Sequence, residues 1–245
     1  MKRKLIVNNV SKKFRIGAKK RGGILYRLIS FFSGKEQKRD MWVLKKISFK
    51  LNQGEILGII GKNGCGKSTL LRVIAGIYKK NYGNIQVNGK IIPLINFGTG
   101  LKPRLTMKDN IFLYGSLLGL GRDTIKRKFN SIVKFADLED FIDTKLYQFS
   151  SGMLSRLAFS IAIHCDADIF LLDELFAVGD ENFRQKSGNK IKELVENNAS
   201  AILVSHNLDL LKKHCDRIIW IENGRIIKKG ETNKIINEYI KKNKY

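Results

Sequence analysis

Cysteine, proline, histidine, acidic side chains and long apolar runs are all scarce in this chain. Its three cysteines, Cys65, Cys165 and Cys215, are isolated and fit no metal-ligand spacing, and unpaired thiols point to a reducing compartment. No stretch approaches the roughly 18 apolar residues of a membrane-spanning helix. Too few apolar residues follow Met1-Lys2-Arg3-Lys4 for a signal peptide, so the body is expected in the cytosol. The two prolines, Pro93 and Pro103, both lie just ahead of a helical block, and there is neither an internal repeat nor a long disordered tract. A chain of 245 residues suits one large domain, or a domain with a subdomain, and can bury a proper core.

The 22 acidic residues face 46 Lys and Arg, a net charge of +24. Such a balance brings nucleic acid and anionic membrane surfaces into view as partners. The charge is uneven: residues 1–40 carry +11, residues 224–245 carry +5, and the 183 residues between carry only +8. Both ends are basic and the middle is not.

That middle is organised around residues 56–76, ILGIIGKNGCGKSTLLRVIAG. An apolar run, Ile56 to Ile60, reads as a buried strand, and Thr69 to Ile74 opens a helix. Between them Gly61-Lys62-Asn63-Gly64-Cys65-Gly66-Lys67-Ser68 has the G-x-x-x-x-G-K-S pattern of a P-loop in its expected context. The glycines let backbone N–H groups converge on phosphate oxygens, and the helix N-terminus adds partial positive charge. Lys67 is expected at the β- and γ-phosphates and Ser68 on Mg²⁺. A nucleoside triphosphate is the ligand this implies.

Leu5 to Val10 reads as a first strand and Trp42 to Leu51 as a half-buried one. Residues 15–40 differ, with Gly- and Lys-rich flanks around Ile24 to Phe32. That piece fits a short helix with Ile24, Leu25, Leu28 and Phe32 on one face, packed on its own domain or lying against a membrane or membrane partner. Asn88-Gly89, between Ile85-Gln86-Val87 and Lys90-Ile91-Ile92, signals a hairpin. Residues 108–146 read as helical. From 169 onward strands and helices alternate (169–172, 185–196, 201–204, 208–213, 218–220), which implies a largely parallel sheet covered by helices.

Three further groups carry chemistry. Ile169 to Leu172 ends in Asp173 and Glu174, where open α/β sheets bind ligands. Asp173 suits Mg²⁺, as in a Walker B strand, and Glu174 suits the general base that polarises water. His206, after the strand 201–204, suits a γ-phosphate contact, whereas His164 and His214 read as structural. Phe149-Ser150-Ser151-Gly152-Met153 opens a helix and forms a second anion site. Two half-sites in one chain point to two copies paired head-to-tail.

This set resembles the ATP-binding subunits of ABC transporters over essentially residues 1–240. Gly61 to Ser68 matches Walker A, Phe149 to Met153 the signature motif, Ile169 to Glu174 Walker B, Ala177 to Asp180 the D-loop and His206 the switch histidine. Trp42 stands where the family stacks an aromatic ring on adenine. Ser-Ser-Gly-Met, Ala-Val-Gly-Asp and Asn96 to Leu101 are similar to exporters of lipid-linked polysaccharides (O-antigen, capsule, teichoic acid), as is the helical insertion at 15–40. The resemblance implies one α/β domain, 1–245: a P-loop NTPase core with a mostly parallel sheet, an antiparallel β subdomain and a helical subdomain at about 105–165. It implies ATP and Mg²⁺, with Asn63, Gly64, Cys65, Gly66, Lys67, Ser68 and Thr69 on the nucleotide and Ser150, Ser151, Gly152 and Asp180 reaching it across a homodimer. A polytopic permease is the expected partner at the cytoplasmic face of a bacterial membrane, touched through residues 15–40, with no nucleic acid and no C-terminal carbohydrate-binding domain. A soluble ABC ATPase acting on nucleic acid or ribosomes, or an exporter of another lipid or peptide, is the alternative. The usual Q-loop glutamine has no equivalent, its place falling near Asn96 and Phe97. Cys65 replaces a small Walker A residue, so thiol alkylation is expected to inhibit.

Overall fold

The computed structural model describes residues 2–16, 39–95, 99–173 and 180–243. The expected helix at 24–32, the Q-loop position at 96–97, Glu174 and the D-loop residues 177–179 lie outside the described residues.

Two sheets stack. The smaller is antiparallel, in the order β2 (Arg39–Asn52), β1 (Arg3–Ile16), β4 (Tyr82–Val87). The larger has the order β5 (Ile91–Leu94), β6 (Ile169–Leu172), β7 (Ser200–Val204), β3 (Ile56–Ile60), β8 (Arg217–Glu222), β9 (Arg225–Glu231). Its first five strands are parallel, and β9 runs antiparallel to β8. The central strands read as unbroken apolar runs because both of their faces are buried. Alternate side chains go to opposite cores. Leu57, Ile59, Ile169, Leu171, Ile202 and Val204 join Leu5, Val7, Leu44 and Phe49 of the antiparallel sheet and Leu70 and Leu71 of helix α1 (Lys67–Ile74). Ile56, Phe170, Leu172, Ala201 and Leu203 pack on the other side against helices.

Those helices include α2 (Met107–Leu117), α3 (Arg122–Ala136) and α4 (Ser151–Ile163), within the stretch read as a helical subdomain. Thr106 caps α2, its hydroxyl accepting from the Asp109 N–H at 3.1 Å. The fully buried Asn110 side chain accepts from the Lys102 N–H at 2.7 Å and donates to the carbonyls of Lys102, Leu105 and Thr106, pinning the turn before the helix. The chain continues through α5 (Glu181–Glu196), α6 (Leu208–His214) and α7 (Thr232–Asn243).

Asn88-Gly89 does not close a hairpin. β4 and β5 belong to different sheets, and the chain crosses between them at Gly89 (φ +123°). Asp168 fixes the crossing by accepting from the Lys90 N–H at 2.7 Å while paired with Lys4, and it fills the space a Gly89 Cβ would need. The Asn-Gly hairpin lies instead at Asn223-Gly224, both with positive φ (48° and 75°), joining β8 to β9. That hairpin and α7 were not anticipated from the sequence.

Candidate nucleotide site

The P-loop follows β3 and leads directly into α1. Gly61 is obligatory for space, since a Cβ there would lie 2.1 Å from the Ile221 carbonyl oxygen. Gly66, at φ +111°, precedes the first helical residue in a left-handed conformation, which costs a residue with a Cβ about 1 kcal/mol or more. The Lys67 ammonium is buried and donates to the carbonyls of Gly61 at 2.8 Å and Lys62 at 3.1 Å, bringing its charge back over the loop. Cys65 is also buried, and burial raises its thiol pKa above the ordinary value.

Strand order brings the chemistry together. β7 lies between β3 and β6, so the C-terminal end of the P-loop strand, His206 after β7 and Asp173 after β6 share one edge of the sheet. The Ser68 hydroxyl donates to Asp173 Oδ1 at 3.2 Å, across 105 residues of sequence. One hydroxyl and one buried carboxylate are hard oxygen donors and fit Mg²⁺, which keeps much of its coordination for water and phosphate. Asn63, Gly64, Gly66, Lys67, Ser68, Thr69 and Asp173 line one cleft of about 810 Å³.

Among the described residues, eight expected contributors do not line that cleft: Gly61 and Cys65 of the loop itself, His206, Trp42, Ser150, Ser151, Gly152 and Asp180. Trp42 lies on the opposite face of β2, stacked on Tyr82 with ring centroids 5.9 Å apart. The pleat is the reason: Met41 and Val43 face the P-loop, so Trp42 between them must face away. The aromatic rings in the cleft are Phe14 and Tyr78, edge-to-face at 5.5 Å, with the Lys12 ammonium 4.8 Å from the Phe14 ring centre. The sequence pattern predicts a first strand ending at Val10, whereas β1 runs to Ile16 and pairs Phe14 with Met41. The Lys13-Phe14 alternation beyond a β-bulge was the available signal.

The signature residues also stand apart. Ser150 caps α4, its hydroxyl accepting from the Met153 N–H at 3.2 Å, with Ser151 exposed beside it and Gly152 following. Asp180 caps α5 by accepting from the Phe183 N–H at 2.8 Å and faces Arg156 of α4 at 3.8 Å. None of these lines the cleft. The other histidines are structural: His164 Nδ1 is 2.6 Å from the Ser160 carbonyl, His214 packs over Gly188, and burial lowers both pKa values.

A family model described as ABC transporter matches residues 44–177. The chain belongs to the ABC transporter ATP-binding family. It is 37% identical over 201 residues to the O-antigen export system ATP-binding protein RfbB of Klebsiella pneumoniae, covering 82% of each chain. It is 38% identical over 215 residues to the RfbB protein of Myxococcus xanthus, covering 86% of this chain and 49% of that one. It is 42% identical over 200 residues to the teichoic acids export ATP-binding protein TagH of Lactiplantibacillus plantarum, covering 82% and 55%. The chain thus spans about half the length of several relatives it matches. The fold is that of solved ABC ATPase domains: an ATP-binding subunit of an ABC transporter superposes with a TM-score of 0.76 at 22% identity, covering 96% and 92%. A dimeric ATP-binding cassette bound to ADP and phosphate gives 0.75 at 21%, covering 93% and 98%. No helix among the described residues is long and apolar enough to cross a membrane.

Proposed function

We propose that this chain hydrolyses ATP as half of a homodimer and powers export of a lipid-linked polysaccharide, of O-antigen, capsule or teichoic acid type, through a separate polytopic membrane subunit. The separation of two half-sites carries the reading: Lys67, Ser68 and Asp173 line the cleft and His206 follows the neighbouring strand β7, while Ser150 to Gly152 open α4 outside the cleft. Two copies set head-to-tail bring one copy's α4 N-terminus to the phosphates held by the other. Names of relatives at 37–42% identity supply the substrate class.

In this reading the P-loop N–H groups and the Lys67 ammonium hold the β- and γ-phosphates, with Lys67 exchanging its two carbonyl contacts for phosphate oxygens. Ser68 and Asp173 would hold Mg²⁺, which would supply positive charge to neutralise the phosphates. Glu174 orients the attacking water and accepts its proton, and His206 donates to the γ-phosphate. Phe14, rather than Trp42, takes the adenine. The chain works at the cytoplasmic face of the cell membrane.

Purification of the tagged chain from gently solubilised membranes of its own cells tests this. Recovery with one polytopic membrane protein, in an ATPase-active complex, is the expected result. Recovery from the soluble fraction with RNA or ribosomes contradicts it.

A further inference from the structure

A second cavity, larger than the nucleotide cleft at about 1230 Å³, lies on the other face of β2. The antiparallel sheet forms its floor and β9 its wall, and the Asn223-Gly224 hairpin closes one side through a bond from the Lys45 N–H to the Gly224 carbonyl at 2.8 Å. Lys45, Lys46, Arg225, Lys228 and Lys229 line it, and among the described residues no carboxylate does. Lys228 is paired with Glu238; the other four have no ion-pair partner among the described residues. Unbalanced cations held around one concavity attract an anion and gain from the low-dielectric walls.

Within the same trough, Trp42 and Tyr82 are stacked at an interplanar angle of 25° while remaining 37% and 63% exposed. The Trp42 ring also has the Lys13 ammonium 5.4 Å from its centre, so Tyr82, the more exposed of the two, is the main apolar surface offered. Part-exposed aromatic rings beside cations suit a ligand with both an apolar ring face and anionic groups. Ser48 and Lys229 also line an adjoining hollow of about 430 Å³ that runs past Lys50. The basic track is therefore elongated, as a chain-like ligand requires. A bilayer surface is a poorer fit, because it is met by protruding apolar residues rather than a recess.

We propose that this trough binds a phosphate-bearing saccharide chain, a sugar ring resting on the Trp42–Tyr82 pair and phosphates meeting Lys46, Arg225 and Lys229. The choice of a saccharide over other polyanions rests on the export reading; the charge and shape of the trough do not.

Calorimetric titration of the full chain tests the proposal, using phosphomannan, neutral mannan, poly(U) and phosphatidylglycerol vesicles. Phosphomannan is expected to bind in a salt-sensitive manner, with neutral mannan at least about tenfold weaker. The triple variant Lys46→Glu, Arg225→Glu, Lys229→Glu is expected to lose on the order of a hundredfold in affinity, and Tyr82→Ala about tenfold. Both variants should bind ATP as the parent chain does, which reports an intact fold. No phosphomannan binding, or binding that the variants leave unchanged, overturns the proposal. Equal or tighter binding of poly(U) or vesicles in a trough-dependent manner also overturns it, by assigning the trough to another polyanion. Membrane co-purification is read separately, so failure of the trough and failure of the export reading are told apart.

Discussion

Phe14→Leu removes the ring that β1 presents to the P-loop cleft and keeps an apolar side chain of similar bulk. Stacking of a base on an aromatic ring is worth about 1–3 kcal/mol by truncation. Phe14 is only partly buried and Tyr78 remains beside it, so the lower half of that range applies. About 1–2 kcal/mol corresponds to ATP binding weakened roughly 5- to 30-fold. Equilibrium binding of ATP and of inorganic tripolyphosphate separates the base from the phosphates. Phe14→Leu should weaken ATP and leave tripolyphosphate within about twofold, and Trp42→Leu should leave both unchanged, because Trp42 lies across β2 from the cleft. Loss of ATP affinity in Trp42→Leu with none in Phe14→Leu would refute the side assignment of β2.

Glu174→Gln should retain ATP binding and lose turnover by roughly two to four orders of magnitude; near-normal steady-state ATPase would remove Glu174 from the general-base role. Alkylation of Cys65 is expected to be slow, against what its place in the loop implies, since the thiol is buried and its pKa is raised by that burial. Iodoacetamide at pH 8, followed by mass spectrometry, should leave native Cys65 largely unmodified; rapid stoichiometric labelling would show the thiol to be open. The Asp168 carboxyl is held below its ordinary 3.8 by hydrogen bonds from Lys4 and the Lys90 N–H. Its contribution is therefore complete above about pH 4 and is lost as pH falls through the lower folded value. Asp168→Asn should cost about 1 kcal/mol at pH 7, the scale of a partly exposed ion pair, and make thermal stability less steep in acid. An unchanged acid profile would contradict the pairing.

The nucleotide site was legible where one short stretch holds the whole instruction. A glycine loop between an apolar strand and a helix has few other uses, and Asp173 and His206 stand at strand ends that pattern alone locates. Legibility failed where a contact joins distant segments. Which face of β2 meets the P-loop depends on its register against β1, and two irregularities in that pairing lie between Val10 and Lys13. The same limit explains Asn-Gly: Asn223-Gly224 turns back because β9 pairs with β8, whereas β5 leaves β4 to lie beside β6, drawn by Ile92 and Leu94 into the core and fixed by Asp168. Local turn chemistry permits a hairpin; the partner strand decides whether one forms.

The central claim, that ATP turnover by this chain drives glycan export, is tested most directly in its own cells. Chromosomal replacement by Lys67→Ala, compared with the unaltered chain, should abolish the surface polysaccharide while its lipid-linked form accumulates on the cytoplasmic side. Unchanged surface glycan with no accumulated lipid-linked precursor would contradict the account.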